Sequence, residues 1–284
     1  MTTELISAAE LAERLADVRV LDVRGGEAGR SAYLSEHIEG ASWVDLDRDL
    51  AAVGEDAAVG GRHPLPPIEA WCRRLGDWGI APGTDVVVYD AAGGAFAAAR
   101  AWWMLRAVGH RRVAILDGGW QAAVEGGLPK AVASPSSRPC EPYPAPEGRR
   151  WQMPTVSADD VEELRFDSAR RLIDVRSPVR YRGDEENLDP IAGHIPGAVN
   201  LPYAENLSDD GRFRDRAALR SLFDERLGRD SGEALTVYCG SGVTACHTLF
   251  ALELAGFSGA GLFVGSWSEW CRSERPRATI QGSP

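Results

Sequence analysis

Residues 237 to 244 read VYCGSGVT, which sets one thiol between an apolar run of β type and a loop of small residues. Glycines at 240 and 242 let the backbone curl without Cβ clashes. Successive amide groups can then converge on the Cys239 sulfur, and a helix starting just beyond adds its positive end. Such a cradle stabilises negative charge on that sulfur. Inert buried cysteines sit instead in apolar surroundings, away from the mouth of a polar loop.

Four chemistries compete for such a thiol. Zinc would need company, but no C-x-x-C pair exists, and Cys239, Cys246 and His247 are poorly spaced for a tetrahedral site. A disulfide framework does not fit five widely spaced cysteines, at 72, 140, 239, 246 and 271. A cysteine phosphatase needs an arginine six positions after its cysteine to hold phosphoryl oxygens, and that position is Ala245. Sulfur transfer remains. There the thiolate takes up a sulfane sulfur, and the terminal anion of the persulfide needs several weak donors and no bulky neighbour. Gly240, Ser241, Gly242, Val243 and Thr244 supply that environment.

The elements that must hold this loop occur twice. RVLDVRGG from Arg19 matches RLIDVRSP from Arg171, and HIEGASWVDL from His37 matches HIPGAVNLPY from His194. The segment from Val86 to His110 matches that from Leu235 to Phe257, and AILDGGW from Ala114 matches GLFVGSW from Gly261. The order is the same in both halves, so the chain reads as a duplicated domain. In each half short apolar runs alternate with helical patterns, which predicts an α/β fold: two tandem domains, each a mainly parallel sheet covered by helices on both faces. The expected boundaries are 1–130 and 153–284, joined by an extended Pro-rich linker at 131–152 that straps the halves together. Ligands of such sheets bind at the carboxyl ends of the strands, where VYC ends. At the position matching Cys239 the first half carries Asp90, so only the second half is chemically armed.

Composition narrows the partners. The 284 residues carry a net charge of −11, which argues against nucleic acid while allowing a locally positive pocket for a small anion. No run of about 20 apolar residues suggests a membrane span, and the first twenty residues read as an amphipathic helix leading into a strand. The expectation is a cytoplasmic protein with no membrane partner.

Taken together, the CGSGVTA loop after a strand, the DVR and HIPGA motifs and the duplicated plan resemble the rhodanese superfamily of tandem-domain sulfurtransferases. The loop is most similar to the 3-mercaptopyruvate branch. Thiosulfate-using members carry cationic side chains just after the cysteine, where this chain has Gly240 and Ser241. The resemblance implies transfer from 3-mercaptopyruvate through a Cys239 persulfide, with pyruvate released and no metal or organic cofactor, at a site between the domains. A small thiol, a thioredoxin-like protein or cyanide would accept the sulfur. Alternatives are a thiosulfate sulfurtransferase and a non-catalytic persulfide carrier or binding module. By the same resemblance Arg182, before Gly183, holds the substrate carboxylate, with Arg180 as a second candidate. A simple surface pair of Arg182 with Asp184 or Glu185 is the competing reading. The family's further substrate arginine downstream has no counterpart in EENLDPIAGH. Ser241, His63 and Asp47 match a proton relay in which aspartate orients imidazole and imidazole polarises a hydroxyl. For His63 and Asp47, ordinary loop and cap roles compete.

Other residues read as architecture. His37 and His194 occupy matched turns in the armed and unarmed halves, and Asp22 and Asp174 close matched strands. Trp102, Trp103, Trp120 and Trp267 suit packing. Gly265, Ser266 and Trp267 are expected at the pocket rim. Cys246 faces the interior, with a resolving-thiol role as its alternative.

Overall fold

Short β-branched runs bounded by helical segments make two sheets of one design. The computed structural model describes residues 5–132, 139–228 and 232–280. The chain divides into two units: one of residues 1–52, 66–152 and 209–213, the other of residues 53–65, 153–208 and 214–284.

The first unit holds strands β1 (Leu5–Ile6), β2 (Val18–Asp22), β3 (His37–Ile38), β4 (Ser42–Trp43), β5 (Asp85–Tyr89), β6 (Val113–Leu116) and β7 (Lys130–Ala131). Its sheet runs β1-β6-β5-β2-β4 and every pairing is parallel. Its helices are α1 (Ala8–Arg14), α2 (Gly26–Ser35), α3 (Leu46–Asp49), α4 (Ile68–Asp77), α5 (Ala97–Ala107) and α6 (Gly119–Glu125). The second unit has β8 (Thr155–Val156), β9 (Arg171–Asp174), β10 (Val199–Asn200), β11 (Leu235–Tyr238) and β12 (Gly261–Phe263), again all parallel, in the equivalent order β10-β9-β11-β12-β8. Its helices are α7 (Ala158–Leu164), α8 (Pro178–Arg182), α9 (Arg216–Leu227), α10 (Thr244–Leu254) and α11 (Ser266–Trp270). Strands this deeply covered read as continuous apolar runs, as DVVVY and LTVY do.

The duplication extends to side chains. Ser7 caps α1 and Ser157 caps α7, each in a reciprocal capping box with the residue three positions on. Asp22 pairs with Arg24 at 2.6 Å, and Asp174 pairs with Arg176 at 2.6 Å. Those arginines donate to the Glu36 and Gly193 carbonyls, tying a loop back to each strand end. His37 Nδ1 lies 2.7 Å from the Tyr33 carbonyl and His194 Nδ1 2.8 Å from that of Tyr181, each ring stacked on that tyrosine. Both histidines therefore serve turn architecture, and burial is the main cause that pushes the His194 imidazole down from its ordinary value.

Two stretches depart from a simple split into halves. Residues 53–65 leave the first unit and pack within the second, while 209–213 do the reverse. The Pro-rich segment, whose residues 133–138 lie outside the described residues, clings to the first unit from Cys140 onward. The Cys140 and Tyr143 amides donate to the carbonyls of Gly76 and Cys72, and the Gln152 amide to that of Ala107. Among the described residues no helix is long and apolar enough to cross a membrane.

Candidate active site

β11 is the central strand of the second sheet, and the chain order reverses between it and β9. The crevice at such a reversal is where parallel sheets hold ligands. Two loops leave their strands there: Cys239 follows β11, and Arg176 to Arg182 follow β9.

The Cys239 loop is held from behind. The Cys239 amide donates to Ser266 Oγ at 3.2 Å, the Trp267 amide to the Cys239 carbonyl at 3.0 Å and the Ser268 amide to the Gly240 carbonyl at 2.9 Å. Gly265, Ser266 and Trp267 are thus a buried brace for the loop and do not line a rim, which corrects the sequence expectation. Ser266 adopts a positive φ of 54°, a strained value for a non-glycine residue, and its hydroxyl is anchored on the Phe263 carbonyl at 2.9 Å. Gly242 also has a positive φ, and a Cβ there would lie 2.4 Å from the Val264 carbonyl oxygen. Only glycine fits.

With the loop so fixed, two amides point at the sulfur: Gly242 N at 3.1 Å and Ser241 N at 3.5 Å from Cys239 Sγ. Val243 precedes α10 as its N-cap and Thr244 opens it, so an eleven-residue helix begins beside the thiol. Nearly every side of α10 is apolar and buried, which embeds it behind the loop. Cys246, on its first turn, is fully buried and donates to the Gly242 carbonyl at 3.3 Å.

The first unit shows what this cradle holds when no thiol is present. Asp90 follows the central strand β5, and one carboxylate oxygen accepts from the amides of Ala92 and Gly94 at 2.8 Å each. The other accepts from Phe96 and Ala98 at 3.1 Å each. Burial pushes this carboxyl up, and the four amides oppose that push. The loop geometry is thus an anion holder in both units.

His63, on the segment that crosses to the second unit, places Nδ1 2.8 Å from Ser241 Oγ. The hydroxyl is buried and the ring half-buried. Asp47 lies exposed on α3, a first-unit residue whose amide donates to Asp45. The structure therefore brings Cys239, Ser241 and His63 together within one unit.

The arginines sort differently from expectation. Arg180 and Arg182 both lie on the short helix α8, two positions apart, and 3.6 residues per turn send such a pair to opposite sides. Arg182 turns outward and pairs with Asp184 at 2.7 Å, in competition with any substrate role. Arg180 turns inward. Its Nη2 pairs with Glu186 at 2.7 Å, and its Nη1 and Nη2 lie 3.4 and 3.6 Å from where a Cβ on Gly240 would stand. Arg62, which the sequence reading missed, reaches the same point with Nη2 at 3.1 Å. Its adjacency to His63 was the available signal. Buried Arg176 joins Arg180 on Glu186. Burial works against charge on Arg176, but Asp174 and Glu186 outweigh it and the net push is upward.

Comparison with known proteins gives a consistent picture. A model of the rhodanese-like domain matches residues 7–125 and again 157–273. A probable 3-mercaptopyruvate sulfurtransferase from Pseudomonas aeruginosa is 41% identical over 286 residues, covering 98% of this chain and 99% of that protein. A putative thiosulfate sulfurtransferase from Mycobacterium tuberculosis is 40% identical over 287 residues, covering 94% of this chain and 93% of that protein. Among solved structures, the 3-mercaptopyruvate sulfurtransferase from Leishmania major superposes with a TM-score of 0.83 at 30% identity, over 95% of this chain and 74% of that one.

Proposed function

The chain belongs to the rhodanese family, and on that premise we propose that it moves a sulfane sulfur from 3-mercaptopyruvate through a Cys239 persulfide to a thiophilic acceptor. The observation that carries this reading is the Cys239 thiol under two backbone amides, with the Ser241–His63 hydrogen bond two residues away.

The chemistry follows from that arrangement. The Cys239 thiolate forms a bond to the donor sulfur, and the bond from that sulfur to C3 of mercaptopyruvate breaks. The electron pair stays on the carbon as the pyruvate enolate, and a proton delivered to it gives pyruvate. Ser241 carries a hydroxyl two residues from the reacting thiol, and His63 Nδ1 lies 2.8 Å from it, which supports a proton supplied through this pair. Asp47 keeps its place in the relay as a proposal resting on the sequence match alone. The new terminal sulfur is an anion one bond beyond Sγ. Aspartate is its internal analogue, because Cβ–Cγ–Oδ parallels Cβ–Sγ–Sδ. The four amides on Asp90 support the reading that a loop of this design holds such an atom with backbone donors. Arg180, not the exposed Arg182, is the first cation for the donor's carboxylate.

In the second half-reaction an acceptor thiolate bonds to the terminal sulfur, and the S–S bond breaks back to the Cys239 thiolate. A small thiol, a thioredoxin-like protein or cyanide meets that requirement. All five cysteines are free thiols, which suits a reducing compartment, and we assign the protein to the cytoplasm.

Thiosulfate is the second reading, favoured by the thiosulfate name of several relatives. The absence of a cationic side chain at Gly240 and Ser241 weighs against it. Thiocyanate formation from cyanide, measured with each donor, decides. The proposal requires a kcat/KM at least about tenfold higher for mercaptopyruvate, and a clear preference for thiosulfate overturns it. Stoichiometric sulfur uptake without turnover would identify a carrier instead.

A further inference from the structure

We propose that Ser268 is a positioning residue for the reaction: from one place on α11 it fixes both the thiol loop and the segment that carries His63, and so sets the proton relay at its working distance. The proposal rests on the sulfurtransferase reading above and concerns how that site delivers its proton.

The need for such a residue comes from the segment itself. No helix or strand runs through residues 53–65, so no ladder of backbone bonds places His63. Its Nδ1 nevertheless lies 2.8 Å from Ser241 Oγ, a hydrogen bond that small shifts of the segment would lengthen and weaken. Contacts with α11 supply the registration. The Arg62 amide, next to His63, donates to Ser268 Oγ at 3.0 Å. Gly61 has a positive φ, and a Cβ there would lie 2.3 Å from the Gly265 carbonyl oxygen and 2.7 Å from Ser268 Oγ, so the backbones meet as closely as glycine allows. The Gly60 amide is turned to the Glu269 carboxylate. Three consecutive residues before His63 are thus seated on α11 and its N-cap.

The same serine holds the thiol loop through its backbone. Its amide donates to the Gly240 carbonyl at 2.9 Å, between Cys239 and Ser241. Its hydroxyl donates to the Gly265 carbonyl at 2.9 Å, which turns an oxygen lone pair toward Arg62. The residue is completely buried, so water does not compete for either bond. The duplication supplies the control. In the unarmed unit the Trp120 amide donates to the Asp90 carbonyl at 2.8 Å, as the Trp267 amide does to the Cys239 carbonyl at 3.0 Å. The next residue there is Gln121, which is exposed and donates to Glu125 on its own helix. The tryptophan brace therefore belongs to the fold, whereas the buried serine stands in the unit that carries the thiol.

The test separates the two half-reactions by intact mass in acid-quenched samples. Sulfur uptake from saturating 3-mercaptopyruvate draws on the proton relay, whereas discharge of the loaded persulfide to cyanide returns a thiolate and needs no proton. Ser268→Ala removes the hydroxyl but keeps the amide on Gly240, and the Gly265 carbonyl keeps the Glu269 amide at 3.1 Å. The variant is expected to slow uptake about 10- to 100-fold, the cost of a misplaced catalytic group, and to leave discharge within about twofold. Added to His63→Ala it should cost less than about twofold more, because it acts through that histidine. Uptake within about twofold of wild type overturns the proposal. So does equal slowing of both half-reactions, which marks a loosened thiol loop, or a fully multiplied loss in the double variant. Should Ser268→Ala fail to fold, Glu269→Ala, which frees the Gly60 amide, decides by the same comparison: slower uptake with normal discharge supports the positioning role, and unchanged uptake or equal slowing overturns it. Failure of the underlying reading looks different, because the wild type itself would then gain no sulfur from mercaptopyruvate.

Discussion

Alanine at Gly240 and alanine at Gly242 are expected to fail in opposite ways. Gly240 is not in the left-handed region, so alanine can adopt its backbone, and the reduced freedom of the unfolded chain favours the variant by about 0.4–1 kcal/mol. The new methyl would meet Arg62 Nη2 at 3.1 Å and Arg180 Nη1 at 3.4 Å, which are the far ends of flexible side chains. The two effects nearly cancel, and the melting temperature should stay within about 3 °C of wild type. The methyl nevertheless fills the place where the donor's carboxylate would sit, so KM should rise about tenfold or more with kcat little changed. At Gly242 the left-handed backbone alone costs about 1–2 kcal/mol. The Val264 carbonyl oxygen 2.4 Å from the new Cβ must also move, for a total of about 3 kcal/mol or more. That corresponds to a melting temperature lower by about 6–12 °C. Displacing the Gly242 amide from the sulfur should also reduce kcat about tenfold. Calorimetry and steady-state kinetics on both variants check this. A destabilised Gly240→Ala with normal KM, or a Gly242→Ala as stable and active as wild type, would refute the account of the loop.

Two further outcomes follow from the same geometry. Ser241→Ala should lower kcat about 100-fold with KM within about threefold, and His63→Ala added to it should cost little more, because the two act as one relay. Independent, multiplying losses in the double variant would contradict a shared proton path. Asp90→Asn removes one of two acceptor oxygens that serve four amides, and should destabilise the protein by about 2 kcal/mol or more in denaturant titration while leaving sulfur uptake intact.

Much of this was legible in the chain because the duplication acts as its own control. Matched Asp22 and Asp174, His37 and His194, and the DVR motifs declared themselves architectural by recurring, and the structure gives each pair the same contacts. One departure from the repeat, Cys239 against Asp90, marked the chemistry. What stayed hidden depends on three-dimensional placement. Arg180 and Arg182 are equivalent as sequence, and only the turn of α8 sends one in and one out. Arg62 lies 178 positions from Gly240 along the chain, and nothing local announces that residues 53–65 fold onto the other unit. Close backbone contact, Gly61 against Gly265, makes that crossing, and such contacts leave no periodic signal.

Intact mass spectrometry after exposure to 3-mercaptopyruvate tests the central claim most directly, with Cys239→Ser measured alongside. The account predicts a gain of one sulfur atom on the wild type, its loss on adding cyanide or a thiol, and no gain on the variant. No gain on the wild type, or an equal gain on Cys239→Ser, would contradict it.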